Sequence, residues 1–299
     1  MQDVAHQNQD AAGPVYLTEP VAPACDFSIV TLVANQESYD RMVASFQAGG
    51  FTAPGTEFLA LDNRTENRFD AFSALRAVLP RLRGKYIVLA HDDLELIDDG
   101  ADTLKALLED LERRDPNWII AGNAGGYEQT FGIRRVRYLE DPHGQSRTVD
   151  GITKVASLDE NFQVMPRARM VLPSIDLDGF HCSGADLCLR AGLAGGTCYI
   201  VPFYLRHHSG GTMDHRFYDA KAVVERKYAP LLRRRKLIAG ASVLYLGLGG
   251  RVLSKYDDAT IWLPWILRRA RRGFHKVWRG VCKVTGIPYT PKFGPNTNR

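Results

Sequence analysis

Three short polar clusters follow apolar runs in this chain: Ala34-Asn35, Asp62-Asn63 and His91-Asp92-Asp93. Carboxylates gathered at a strand end suit an oxygen-ligated Mg²⁺ or Mn²⁺ that holds a phosphate-bearing ligand. The same aspartates also suit a plainer role, capping the segment that follows, and the spacing alone leaves both readings open. A further carboxylate, Asp186, stands three residues after Ser183 and just before Leu187, Leu189, Ala191 and Leu193. That is capping-box spacing, and it predicts Asp186 in the first turn of a helix, where the macrodipole keeps it ionised. An ionised carboxylate there serves as a helix cap or as a general base. Cys182, Cys188, Cys198, His181, His207 and His208 carry zinc-binding atoms. Five residues separate the first two cysteines, which fits no C-x₂-C pattern, and Cys188 follows the apolar helix pattern, so buried thiols are expected.

The elements that must position these residues alternate. Phe27–Val33, Glu57–Leu61, Lys85–Ala90 and Trp118–Ala121 read as short buried strands. Between them, Tyr39, Met42, Val43 and Phe46 recur at helical spacing, as do Phe72, Leu75, Val78, Leu79 and Leu82, and then Leu104, Leu107, Leu108 and Leu111. Pro80 shortens or kinks the second helix. The pattern predicts an α/β fold with a mostly parallel sheet flanked by helices, whose ligand lies beyond the carboxyl ends of the strands. Neither G-x-x-x-x-G-K-[ST] nor a strand-borne G-x-G-x-x-G is present, which removes the main support for P-loop and dinucleotide readings.

The chain has 299 residues and a formal charge of +4. Its last acidic residue is Asp258, and nine Arg and Lys follow it, so subtracting them leaves residues 1–258 at −5. Trp262, Trp265, Phe274 and Trp278 are interleaved with that basic cluster, a pattern suited to an anionic membrane surface or to a docked helix with a solvated basic face. An acidic body argues against nucleic acid as partner. Leu237–Gly250 is uncharged but too short to span a bilayer. The expected organisation is a flexible arm over 1–26, a globular domain over 27–230 and a basic amphipathic helical extension over 231–299. Five cysteines and an N-terminus without a basic start or apolar core predict a cytoplasmic protein, possible contact with the inner membrane face included.

His91-Asp92-Asp93, Leu158-Asp159-Glu160, GFHCSGADLCLRA (Gly179–Ala191) and His207-His208-Ser209-Gly210-Gly211 occur in that order. Together they resemble family 2 glycosyltransferases of the GT-A fold, and within that family the bacterial branch related to a streptomycin-biosynthesis protein domain. The resemblance covers about residues 27–211. It implies a metal-dependent inverting enzyme that moves a sugar from a UDP-, GDP- or dTDP-linked donor to a hydroxyl of a glycan or lipid-linked acceptor, with Mn²⁺ or Mg²⁺ as cofactor. By the same resemblance Asp93 and His207 hold the metal, Asp186 is the base, and Val33, Asn35, Asp62, Asn63 and Asp92 contact the nucleotide-sugar. Asp159, Glu160 and His181 belong to the acceptor and donor pocket. Two positions depart from the family pattern: His91 replaces the first Asp of D-x-D, and Cys182-Ser183 replaces the usual aromatic. A nucleotidyltransferase on a similar sheet and a non-catalytic sugar-nucleotide-binding protein are the rival readings. The first calls for a Gly-rich basic loop after the first strand, which Ala34-Asn35-Gln36-Glu37 is not.

Overall fold

The computed structural model describes residues 21–127, 135–211, 214–232, 235–239 and 242–246. The expectations for the first part of the arm and for the Trp/Arg tail, residues 1–20 and 247–299, lie outside the described residues. In chain order the elements are β1 (Cys25–Val33), α1 (Gln36–Ala48), β2 (Thr56–Asp62), α2 (Ala74–Val78), β3 (Gly84–Ala90), β4 (Leu94–Leu96), α3 (Ala101–Arg114) and β5 (Trp118–Gly122). They continue with β6 (Ala124–Gly126), β7 (Arg135–Asp141), β8 (Gly144–Arg147), β9 (Thr153–Val155), β10 (Ser157–Leu158) and β11 (Phe162–Pro166). Last come α4 (Ser183–Leu193), β12 (Thr197–Ile200), β13 (Leu205–His207), α5 (His215–Tyr228), β14 (Arg235–Ala239) and β15 (Ser242–Leu246).

The main sheet runs β2-β1-β3-β11-β5-β12-β9. β1 pairs in parallel with β2 and β3, as the apolar runs predict, and β5 pairs in parallel with β12, a strand outside those runs. β11 lies antiparallel between β3 and β5 and β9 antiparallel beside β12, so the sheet is mostly parallel with two opposed strands. In β11, Gln163 and closing Pro166 interrupt the apolar signal, although all five of its residues are buried. On one face Phe27, Ile29 and Val88 pack with Met42 and Phe46 of α1 and Leu104, Leu108 and Leu111 of α3. On the other, Val30, Leu61 and Ile87 pack with Leu75 and Val78 of α2 and Leu187 and Ala191 of α4. α2 stops after five residues and a 3₁₀ turn, Leu79–Arg81, takes over at Pro80, which cannot continue an α-helical hydrogen-bond ladder.

A second sheet, β10-β6-β7-β13-β4 with β8 beside β7, stands against the first. Within it β13 is antiparallel to β4, with His207 opposite Leu94. Residues 235–246 correct the helical expectation for the extension. β14 and β15 form an antiparallel hairpin with Leu237 opposite Leu244. Val243, Leu244 and Leu246 are at most 2% exposed, and Leu244 and Leu246 join a core with Phe217, Val224 and Tyr228 of α5, so this part of the chain packs on the domain. Among the described residues no helix is long and apolar enough to cross a membrane.

Candidate active site

The chain leaves β1 for β2 on one side and returns to β3 on the other. The carboxyl ends of β1 and β3 therefore open a crevice at the point where strand order reverses, the usual ligand position in such sheets. A cleft of about 520 Å³ occupies that place. Because side chains alternate along a strand, Val30, Leu32 and Ala34 line it together. Val33 points the other way and is 2% exposed, on the face of Phe27 and Ile29, so its side chain does not line the cleft. Asn35 caps α1 instead, its side chain accepting from the Ser38 amide at 3.0 Å.

Asp92 bridges the two strand ends. Its Oδ2 accepts from the amides of Ala34 at 2.8 Å and Asn35 at 2.9 Å, and the residue lines the cleft. At the end of β2, Asn63 lines the cleft while Asp62 does not. The Asp62 carboxylate is held by Arg64 through its amide, Nε and Nη2 at 3.1, 2.8 and 3.0 Å, and Arg64 keeps its pKa below the usual carboxylate range.

A polar group at the cleft is built by the β4–β13 pairing. It sets Asp93, just before β4, beside His207 at the end of β13, and the Asp93 carbonyl accepts from the His208 amide at 3.1 Å. The His91 amide donates to the Asn161 carbonyl at 3.0 Å, which fixes the end of β3 against the start of β11. His207 Nε2 then lies 3.3 Å from His91 Nδ1, 3.3 Å from Asp93 Oδ1 and 3.2 Å from Ser209 Oγ. Burial acts to raise the Asp93 pKa, but the His207 hydrogen bond and the charges of both histidines outweigh it and hold the carboxyl below its ordinary range. Burial acts to lower the His207 pKa, yet Asp93 raises it overall, whereas His91 is lowered by its enclosure and by His207.

These three side chains fit a divalent cation. One donor atom from each of His91, Asp93 and His207 lies within 4.8 Å of the others. An octahedral ion with bonds of ~2.1 Å separates adjacent ligands by ~3 Å, close to the 3.3 Å contacts observed here. His91 thus joins Asp93 and His207. His208 turns away to Glu95 Oε2 at 2.9 Å.

The opposite wall comes from the segment between β10 and β11 and from the start of α4. Asp159, Glu160, Asn161 and Gln163 line the cleft there, with Phe180, His181 and Ser183 at its rim. Asn161 and Gln163 were not among the expected site residues, although period-2 alternation from Asp159 points to both. Burial, and then Asp159, push the Glu160 carboxyl up to about 8.

Asp186 is not part of the cleft. It is 0% exposed, and its two oxygens accept from the Ser174 amide at 2.7 Å, the Ser174 hydroxyl at 2.5 Å and the Tyr228 hydroxyl at 2.5 Å. The capping box does not form either. Cys182 takes the N-cap position at φ 65° without a side-chain cap, Ser183 becomes the first helical residue, and Asp186 rotates beneath the helix. A carboxylate sealed in this way has no path to a hydroxyl in the cleft, so the structure corrects the placement expected of the base.

No family model matches the chain. A curated protein described as ATP synthase subunits region ORF 6, from Fuscovulum blasticum, is 39% identical over 219 residues, covering 72% of this chain and 88% of that protein. Among solved structures, GalNAc-T7 with UDP, GalNAc and Mn²⁺ aligns over 62% of this chain and 44% of its own at 10% identity and a TM-score of 0.44. The mannosyltransferase PcManGT from Pyrobaculum calidifontis, in complex with GDP-Man and Mn²⁺, aligns over 71% and 62% at 14% identity and a TM-score of 0.41. The chain spans less than two thirds of either solved chain.

Proposed function

The chain belongs to one family with the ORF 6 protein of the Fuscovulum blasticum ATP synthase subunits region, and from its cleft we propose that it is a metal-dependent glycosyltransferase of the GT-A fold. It uses a nucleotide-sugar donor and a hydroxyl acceptor, a glycan or a lipid-linked one. The observation that carries this reading is the convergence of His91, Asp93 and His207, of which His91 and His207 line the cleft at the strand-order reversal.

Charge supports the metal. Asp92, Asp141, Asp159 and Glu160 line the cleft against Arg137, whose Nη1 already donates to Asp141 at 2.9 Å. A diphosphate entering such walls needs a cation between it and the carboxylates. Two imidazoles and one carboxylate favour Mn²⁺ over Mg²⁺, which prefers an all-oxygen shell. When bound, the ion supplies Lewis-acid neutralisation of the charge that develops on the leaving diphosphate. The protein's own part is orientation. Asp92 fixes the two strand ends on which the nucleoside rests, His91, Asp93 and His207 hold the cation, and Asp159, Asn161 and Gln163 offer hydrogen bonds to sugar hydroxyls. Attack from the side opposite the diphosphate, with one base, inverts the anomeric centre. The nucleotidyltransferase reading has less support, because α1 begins at Gln36 directly after β1 and leaves no basic glycine loop to cradle a triphosphate.

The reading is tested by thermal shift with UDP-, GDP- and dTDP-sugars, each with Mn²⁺ or with EDTA. Stabilisation by one nucleotide class that requires Mn²⁺ is expected. Equal stabilisation in EDTA sinks the metal role.

A further inference from the structure

Four carboxylates line the cleft, and they are engaged very differently. Asp92 is held by two backbone amides at 2.8 and 2.9 Å, and Asp141 by Arg137 and the His143 amide at 2.9 and 2.8 Å. Asp159 accepts from the Asn161 amide at 3.1 Å within its own turn. Glu160 has a longer contact, from the Gly184 amide at 3.3 Å, and no ion pair joins it to a described cation.

Its position is set by α4. A Cβ on Gly184 would lie 2.5 Å from Gln163 Nε2, 2.8 Å from the Leu158 carbonyl and 3.4 Å from Glu160 Cδ. The glycine therefore lets the first turn of α4 press directly on the segment that carries Glu160. Phe180 and His181, just before that turn, line both this cleft and an outer groove bounded by Ile175, Asp178, Arg216 and Val223. Ile175 is 84% exposed and Phe180 43%, an open approach for a hydroxyl-bearing molecule. A molecule crossing from groove to cleft passes Phe180 and His181 and meets the wall that Glu160 shares with Ser183.

We propose that Glu160 is the catalytic base, and that an acceptor reaches it from the outer groove over Phe180 and His181. The assignment rests on the glycosyltransferase reading. In the step itself the acceptor oxygen forms its bond to the anomeric carbon while the bond from that carbon to the diphosphate oxygen breaks. The diphosphate leaves with the electron pair, and the acceptor's proton passes to a Glu160 carboxylate oxygen. Enclosure beside Asp159 gives that carboxylate a high proton affinity, which favours the transfer.

The test uses the full chain with Mn²⁺, UDP-, GDP- and dTDP-glucose, and either water or n-octyl β-glucoside as acceptor, reading released nucleoside diphosphate. Glu160→Gln is expected to cut release by ~10²-fold or more while Mn²⁺-dependent nucleotide binding stays within about twofold of wild type. Formate is expected to restore part of the rate to Glu160→Ala, a rescue that a merely structural glutamate does not show. Asp186→Asn, compared per folded molecule, should keep its rate within a few-fold. Glu160→Gln turnover within threefold of wild type overturns the assignment and leaves the glycosyltransferase reading standing. So does a wild type that binds Mn²⁺-nucleotide but releases no diphosphate in any mixture, since there is then no reaction for a base to serve. A wild type that binds no nucleotide with Mn²⁺ removes the reading and the assignment together.

Discussion

Asp93 and Asp186 are both aspartates whose carboxylates are held by two neighbouring residues, and the structure puts them to opposite uses. Beside Asp93 stand the His207 imidazole, which in turn contacts His91, and the Ser209 amide, and the two imidazoles line a cleft and can exchange a proton for a cation. Around Asp186 they are a backbone amide and two hydroxyls in a sealed core, atoms that can only donate. Partner chemistry and access, more than the carboxylate itself, separate a ligand from a structural strut. The Asp186 network joins three parts of the chain: α4, the Ser174 loop that leads to Phe180 and His181, and Tyr228 at the end of α5.

The largest effect should come from breaking the first cluster. Asp93→Ala and His207→Ala are each expected to abolish the Mn²⁺-dependent increment in nucleotide affinity, measured by titration calorimetry with and without the metal. Their melting temperatures should fall less than that of Asp186→Ala, because the cleft admits water to the groups left behind. If Asp93→Ala instead unfolds the protein while its remaining folded fraction still binds Mn²⁺-nucleotide, the two aspartates have been assigned the wrong way round.

Next comes the strut. Asp186→Ala strands three buried donors, and removing one side of a buried charged network costs ~3–5 kcal/mol. Chemical denaturation should show that loss as a lower midpoint. Tyr228→Phe removes one hydroxyl from the same carboxylate and should cost a smaller amount, about 1–2 kcal/mol. Burial first, and then Asp186, raise the Tyr228 pKa, so the phenol remains a donor across the working pH range. A double mutant that loses no more than Asp186→Ala alone would tie the two to one network.

The same contrast explains what the sequence could and could not reveal. The strands of the first half were legible because Phe27–Val33 and Lys85–Ala90 are continuous apolar runs buried on both faces, and the acidic ends of those runs marked the cleft. Facing was harder. Val33 and Asp186 lie in the right segments but point away from the site, Val33 by one residue of strand alternation and Asp186 by rotation about α4. The second rotation has a local cause: Cys182 at φ 65° starts the helix where a capping box anticipates Ser183. A left-handed cysteine has no sequence signature. β14 and β15 were missed for a different reason, since a short apolar run reads equally as part of a helix or as a strand. Tertiary partners such as the Glu225 carboxylate, which accepts from the Tyr245 amide at 2.9 Å, decide between them.

The smallest effect concerns Glu160, which stands between the two extremes: it faces the cleft like the Asp93 cluster, yet α4 encloses it. Asp159 beside it and the thiols of Cys182, at the N-cap of α4, and Cys188, on α4, are titratable groups near it, and the Gly184 amide donates to it at 3.3 Å. Enclosure and Asp159 raise its pKa from 4.5 to about 8, so the folded protein holds this proton more tightly than the unfolded chain. The sign follows from linkage. The stability associated with the protonated carboxyl is fully present below about pH 4.5 and is lost as pH rises through about 8. Glu160→Gln is neutral throughout and escapes that loss. Because Glu160 is only half-buried, a fraction of the full linkage effect is expected: its melting temperature should match wild type near pH 5 and exceed it near pH 9 by about 2–4 °C, the shift for roughly 1 kcal/mol in a domain of this size. Differential scanning calorimetry across that range gives the difference directly. A gap that stays flat with pH would mean the carboxylate is as well solvated as an exposed one, and Glu160 would then belong with the open cleft wall rather than between the two regions.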